Sequence, residues 1–195
     1  MSRRSLILIA ACLVGLVLLG AIAWTTGAFE DRGQPSVGGP FELVDQNGAP
    51  ADEAILKGKW SAVFFGFTYC PDVCPTTMQA MALAQDRLGP KAKDFQVVFI
   101  TVDPARDTPA QLKTYLSNEG FPKGIVGLTG SPEQVDAAAK AYRAYYAKNG
   151  EGPDYLMDHF SGAYLMDPKG QFDRILPYGI SPEELARQIS EAMRS

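Results

Sequence analysis

Histidine is almost absent from this chain of 195 residues: His159 is the single imidazole, so any mechanism that needs two is excluded. Cysteine is scarce, three in all, too few for a small domain held together by disulfides. No block of basic residues exists, and 18 Lys and Arg stand against 22 Asp and Glu for a net charge of −4. Nothing here would neutralise a run of phosphates, so a nucleic-acid partner is excluded. Internal repeats and low-complexity tracts are missing too. What remains is ordinary globular composition, 46% hydrophobic and 21% charged, which rules out a disordered or collagen-like chain. The length allows one domain with a real core, alone or with an appendage.

Charge is absent altogether from Leu6 to Trp24 (LILIAACLVGLVLLGAIAW). At about 1.5 Å rise per residue that stretch matches a hydrocarbon layer ~30 Å thick. Arg3 and Arg4 precede it and Glu30 and Asp31 follow it, which puts residues 1–5 in the cytoplasm and everything after Trp24 outside. Ala21-Ile22-Ala23 offers a signal-cleavage site, Ile9-Ala10-Ala11-Cys12 a lipobox, and Ser2-Arg3-Arg4 a faint twin-arginine signal. The apolar run is longer than a usual signal core and continues well past Cys12. An uncleaved anchor over residues 6–24 is therefore the expectation, and each of the other readings also exports the remainder. Residues 25–40 (TTGAFEDRGQPSVGGP) lack periodicity and are rich in Gly, Pro and polar residues, as a linker would be.

From residue 41 to 195 strands and helices alternate. Phe41–Asp45 followed by Asn47-Gly48 predicts a strand and tight turn. Ser61–Thr68 and Phe95–Asp103 are apolar, β-branched and aromatic, as in strands covered on both faces. Helices are expected at about Pro75–Leu88, Pro109–Asn118, Pro132–Ala147 and Pro182–Met193, with a hairpin of Gly162–Asp167 and Phe172–Leu176 before the last. Thr108-Pro109-x-Gln111, Ser131-Pro132-x-Gln134 and Ser181-Pro182-x-Glu184 each combine an N-cap, a first-turn proline and a capping-box partner. Cys74-Pro75-Thr76-Thr77 has the same grammar with cysteine at the cap. Tyr142, Tyr145 and Tyr146 at helical spacing, and Met78 and Met81, read as packing residues.

The chemistry gathers at Phe67-Thr68-Tyr69-Cys70-Pro71-Asp72-Val73-Cys74-Pro75. A proline after each cysteine biases both away from helical geometry, placing the pair on a loop at the positive end of a helix, where thiolate is favoured. The spacing suits a shared metal or a disulfide. A structural disulfide closing so short a loop would constrain the unfolded chain little, so a functional pair is the better reading. In a strand–thiol loop–helix domain, the segment Tyr155-Leu-Met-Asp-His159 before the later hairpin packs against the thiols. Two thiolates and one imidazole make a soft, three-membered donor set. Structural zinc takes four ligands and no fourth soft one is at hand, with Cys12 inside the apolar segment, whereas Cu(I) suits low-coordinate thiolates. Asp72, Asp158 and Met157 are nearby, and read better as solvated acids and a packing residue. Asp103, Arg106 and Asp107 are at the end of a central strand, where α/β proteins commonly place sites; a local reading, as an Asp-Pro turn, an internal ion pair and a helix start, is preferred over a functional one.

FFGFTYCPDVCPTT, TVDPARDTP, GLTG and the later DHF together closely resemble the Sco (SenC/PrrC) copper-chaperone family, which assists cytochrome c oxidase assembly; the likeness runs in order from about Gly38 to Asp167. That resemblance implies an α/β, thioredoxin-like fold, a central mixed sheet flanked by helices, behind an N-terminal transmembrane helix. It implies copper, as Cu(I) or Cu(II), held by Cys70, Cys74 and His159. Its client would be the copper-site subunit of cytochrome c oxidase, with an upstream copper donor as a second partner. The setting would be periplasmic at the cytoplasmic membrane rather than mitochondrial. One departure is Phe160, where the family often carries a small hydroxyl residue beside the histidine, which affects hydrogen bonding to the imidazole. The same thiols also suit a thiol–disulfide oxidoreductase acting on the oxidase cysteines, although the usual redox motif is C-x-x-C. A thiol peroxidase fits poorly: the Thr or Ser and the Pro it needs upstream of its cysteine are Phe67 and Val63 before Cys70, and Pro71 and Phe67 before Cys74.

Overall fold

The computed structural model describes residues 37–194. The expected anchor over residues 6–24 and most of the linker lie outside the described residues. Among the described residues no helix is long and apolar enough to cross a membrane.

The centre of the fold is built by β3 (Trp60–Gly66) and β4 (Phe95–Thr101), paired in parallel from Trp60–Phe95 to Gly66–Thr101. Their near-continuous apolar runs are buried on both faces, as the sequence pattern requires. Around them the strands β1 (Glu42–Asp45), β2 (Pro50–Asp52), β5 (Val126–Thr129), β8 (Ala163–Met166) and β9 (Phe172–Leu176) complete a seven-stranded mixed sheet, ordered β2-β1-β5-β4-β3-β8-β9. β4 and β5 are parallel; the remaining pairs are antiparallel. Two further strands, β6 (Tyr146–Asn149) and β7 (Leu156–His159), form a separate antiparallel ribbon.

Alternation along β3 sorts the two faces of the sheet. Phe64 points toward His159, with ring centroids 5.7 Å apart, and a Cβ on Gly66 would meet the Cys74 sulfur at 2.9 Å. Phe65, between them, faces the other way onto Tyr142 and Tyr164. Helix α1 (Val73–Arg87) thus lies on the Gly66 face, burying Cys74, Thr77, Met78, Met81 and Ala84 at helical spacing, and it packs on α4 (Pro182–Ala192). Helix α3 (Pro132–Tyr142) covers the Phe65 face. Helix α2 (Pro109–Leu116) lies over β5, where Gly127 leaves room for Leu116. This is the mixed sheet flanked by helices that the sequence led us to expect.

The three N-caps form, but only one of the three capping boxes is complete. Thr108, Ser131 and Ser181 accept from the amides of Gln111, Gln134 and Glu184, each with proline in the first turn. Only Ser131 has the reciprocal bond, its amide donating to Gln134 at 2.8 Å; Gln111 instead reaches Thr68. Met78 and Met81 are core residues.

The end of one helix and four short strands differ from expectation. Helix α3 stops at Tyr142 rather than continuing to Ala147, because Arg143 turns into the left-handed region (φ 54°) and the Ala144 amide bonds back to Ala139. Such a turn usually announces itself by glycine. Tyr145 is consequently exposed and Tyr146 belongs to β6, so only Tyr142 of the three tyrosines is fully buried. The short strands β2, β5, β6 and β7 carry too few residues for periodicity to reveal them.

Replacing Ser131 by alanine removes half of the one complete capping box. We expect a loss of about 1 kcal/mol in stability by urea unfolding, with an unchanged dependence on denaturant.

Candidate metal centre

Strand β3 ends at Gly66, and the chain then crosses Phe67–Pro71 to the start of α1. Cys70 lies on this crossing, half-buried. Cys74, fully buried, is in the first turn of the helix rather than at its cap, which is Asp72. Expectation is thus corrected on one point: a single cysteine of the pair is on the loop. Asp72 makes no side-chain cap to the helix amides, its carboxylate accepting instead from the Thr76 hydroxyl at 3.2 Å. The Cys74 amide donates to the Cys70 sulfur at 3.4 Å, so the first thiol supplies the acceptor that hydroxyls supply at the other helix starts.

The two sulfurs are unequal. A hydrogen bond from the Cys74 thiol, outweighing partial burial, and further bonds from backbone amides hold the Cys70 thiol far below its ordinary pKa. Burial, and then the neighbouring Cys70 thiolate, push the Cys74 thiol far above. The metal-free centre at neutral pH is a thiolate accepting from a thiol.

His159 ends β7, which the ribbon register places opposite Tyr146. Its ring stands edge-on to Phe64 and to Phe67, at 5.7 and 5.9 Å between centroids. Nδ1 is 3.0 Å from the Phe160 carbonyl oxygen, which can only accept; the proton is therefore on Nδ1. The Nε2 lone pair is left facing the thiols, 3.5 Å from the Cys74 sulfur. The main chain at position 160 thus supplies the imidazole with a hydrogen-bond partner that does not depend on the side chain there.

The three donor atoms lie within 4.8 Å of one another, and they are the soft-ligand group that converges among the described residues. That closeness is what sharing one ion requires. Cys70 and His159 line a cleft of about 280 Å³, with Pro71 and Asp72 on one side and Met157 and Asp158 on the other, while Cys74 is buried. Asp158 accepts from Asn149 and Met157 packs against the core, so neither joins the donor set.

Asp107 braces the thiol loop from behind. Its buried carboxyl accepts from the Thr68 amide (3.0 Å), the Thr68 hydroxyl (2.7 Å) and the Thr101 hydroxyl (2.7 Å). Burial raises its pKa, and these bonds oppose the rise. The expected Asp103–Arg106 ion pair is present at 2.5 Å. Gly66 was not singled out in the sequence, although a glycine ending a buried strand is a signal of close approach. The Phe160 carbonyl, as a main-chain group, leaves no such signal.

Two outcomes follow at the bench. Since Cys70 is already ionised, its alkylation by iodoacetamide should change little between pH 6 and 8, whereas an ordinary thiol speeds up about tenfold per pH unit below its pKa. Gly66→Ala must push aside the Cys74 sulfur and the Phe64 and Phe99 rings, and we expect about 1–3 kcal/mol of destabilisation on unfolding.

Residues 29–194 match the SCO1/SenC family. Protein SenC of Rhodobacter capsulatus is 46% identical over 154 residues, which are 78% of this chain and 69% of that protein. The mitochondrial protein SCO1 of Saccharomyces cerevisiae is 47% identical over 144 residues, 72% of this chain, and the match spans about half (48%) of that longer relative. Among solved structures, copper-bound ScoI of Arabidopsis thaliana superposes with a TM-score of 0.76 at 38% identity, over 82% of this chain and 99% of that one. The fold is thioredoxin-like, and the chain belongs to the SCO1/SenC family.

Proposed function

We propose that this chain is a membrane-anchored copper metallochaperone. It binds one copper ion through Cys70, Cys74 and His159 and delivers it to the binuclear copper site of cytochrome c oxidase. The observation that carries this reading is the convergence of two sulfurs and an already oriented imidazole nitrogen, with Cys70 and His159 lining an open cleft. Two soft thiolates and one nitrogen suit Cu(I), and a three-membered shell leaves a side open to an incoming ligand of the recipient. The copper-bound state of the Arabidopsis relative supports the choice of metal. The oxidase copper-site subunit and an upstream copper donor are the partners that the family resemblance implies. Residues 6–24 would hold the domain at the cytoplasmic membrane, on its periplasmic side, as their lack of charge and the flanking arginines suggest.

The inequality of the thiols supports a second use of the same pair, reduction of a disulfide in the recipient. The Cys70 thiolate would attack one sulfur of that disulfide, giving a mixed disulfide and releasing the other sulfur as a thiolate. Cys74, losing its proton to that leaving thiolate, would then attack the Cys70 sulfur. The recipient gains one thiol and one thiolate, the second of which takes its proton from water, and this chain ends with a Cys70–Cys74 disulfide, so two electrons pass and charge is conserved. Metal binding and exchange compete for the same sulfurs, so each needs the reduced pair.

The test is a copper titration of the full chain in detergent, reduced and under nitrogen. One tight copper per chain is expected, lost on Cys70→Ser or Cys74→Ser and weakened at least tenfold on His159→Ala. Affinity indifferent to His159 would refute the three-ligand site, and no tight binding at all would leave disulfide exchange as the function. Loading should also release about one proton per chain at pH 7, because Cys70 is below its ordinary pKa and already ionised while Cys74 is above it and protonated. Affinity should therefore rise with pH through the neutral range, and release of two protons in a pH-stat would contradict the assignment.

A further inference from the structure

The arm that carries His159 is a two-stranded ribbon with no ladder to the main sheet. Such ribbons are marginal by themselves, so its placement depends on side-chain ties. One group of side chains supplies them at the site. Asp103, 3% exposed at the end of β4, accepts from Arg106 Nε at 2.5 Å on one carboxylate oxygen and from the Tyr155 hydroxyl at 2.6 Å on the other. Arg106 Nη1 donates to the Pro153 carbonyl at 3.2 Å. The guanidinium carbon lies 3.6 Å from the centre of the Tyr155 ring and 4.6 Å from that of Tyr69. Tyr69 immediately precedes Cys70, and Tyr155 immediately precedes the strand Leu156–His159. The cluster therefore grips the chain one residue before the first thiol and one residue before the imidazole strand.

We propose that Asp103, Arg106 and Tyr155 form a clasp that holds the β6–β7 arm against the thiol loop, and so decides whether His159 shares a metal with Cys70 and Cys74. They are positioning residues, since none offers a donor atom to the group of three. The proposal rests on the three-ligand copper reading. With the clasp closed the imidazole completes the site. With it open the arm swings as a unit, the site falls back to two thiolates, and copper leaves faster. The main chain within the arm, including the Phe160 amide bond to the Tyr145 carbonyl at 2.9 Å, is untouched by this opening. The clasp is thus a place where docking of a recipient could loosen the cargo without breaking either thiolate bond.

Removing one charge of the buried pair would strand the other, so single-charge variants would report on folding instead. Tyr155→Phe keeps the ring and removes one hydrogen bond, and Asp103→Asn with Arg106→Gln removes both charges together. Cu(I) affinity is measured by competition with a chelator in wild type, Tyr155→Phe, His159→Ala and the combined Tyr155→Phe/His159→Ala chain. Tyr155→Phe should weaken binding about tenfold, the size of a lost hydrogen bond to a charged group, and should cost nothing further once His159 is alanine. In the metal-free protein, amide exchange over residues 156–159 should quicken at least tenfold in Tyr155→Phe and in the doubly neutralised variant, with β3 and β4 unchanged. Equal losses of affinity with and without His159, or unchanged exchange in the arm, would overturn the clasp. If His159→Ala leaves wild-type affinity intact, the three-ligand reading falls by itself, and the exchange measurement, made without copper, still decides whether the clasp holds the arm.

Discussion

A helix begins with amides that lack partners, and most helices here meet that need with a hydroxyl. Helix α1 meets it with a sulfur: the Cys74 amide donates to Cys70, and the residue at the cap, Asp72, turns its carboxylate to Thr76. Much of the metal centre depends on this substitution. It draws the loop sulfur over the helix start, where the peptide dipoles and the neighbouring thiol favour its ionised form. It brings the second sulfur beneath the first, in the space that Gly66 leaves at the end of β3. With both sulfurs fixed by β3 and α1, the imidazole needs only to approach from the cleft side, and Phe64 and Phe67 form the wall that guides it there.

The fold was legible wherever a segment was long or capped. The continuous apolar runs of β3 and β4 and the Pro-led caps at Thr108, Ser131 and Ser181 each say where a central strand or a helix start lies. The proposed ligand set could be drawn for a chemical reason: in a chain with one imidazole and one close pair of cysteines, few other soft donor sets are available. What stayed hidden was set by tertiary pairing. Tyr145 and Tyr146 continue the helical spacing of Tyr142, yet Arg143 takes a left-handed turn and the chain pairs with Leu156–His159 instead, because the ribbon so formed buries Tyr146 and Met157 against the core. Main-chain partners such as the Phe160 carbonyl have no residue type to betray them. The Asp103–Arg106 pair could be read as an ion pair, but its grip on Tyr155 spans 52 positions of sequence and is visible only in three dimensions.

Unequal thiols also reconcile the two activities that this family resemblance suggests. A thiolate beside a protonated neighbour is a good first nucleophile, and the buried thiol is a good resolving group. On the proposed reading, the same pair would chelate the metal once the second proton leaves. Copper and disulfide chemistry would, on that reading, be alternative fates of one reduced state.

The central claim is that two sulfurs and one imidazole together bind a single copper ion. X-ray absorption at the copper edge of the reduced, singly loaded chain tests it most directly. The account predicts a three-coordinate shell of two sulfurs and one nitrogen, with the outer-shell scattering of an imidazole ring that vanishes in His159→Ala. A linear two-sulfur shell without imidazole scattering in the wild-type protein would contradict it.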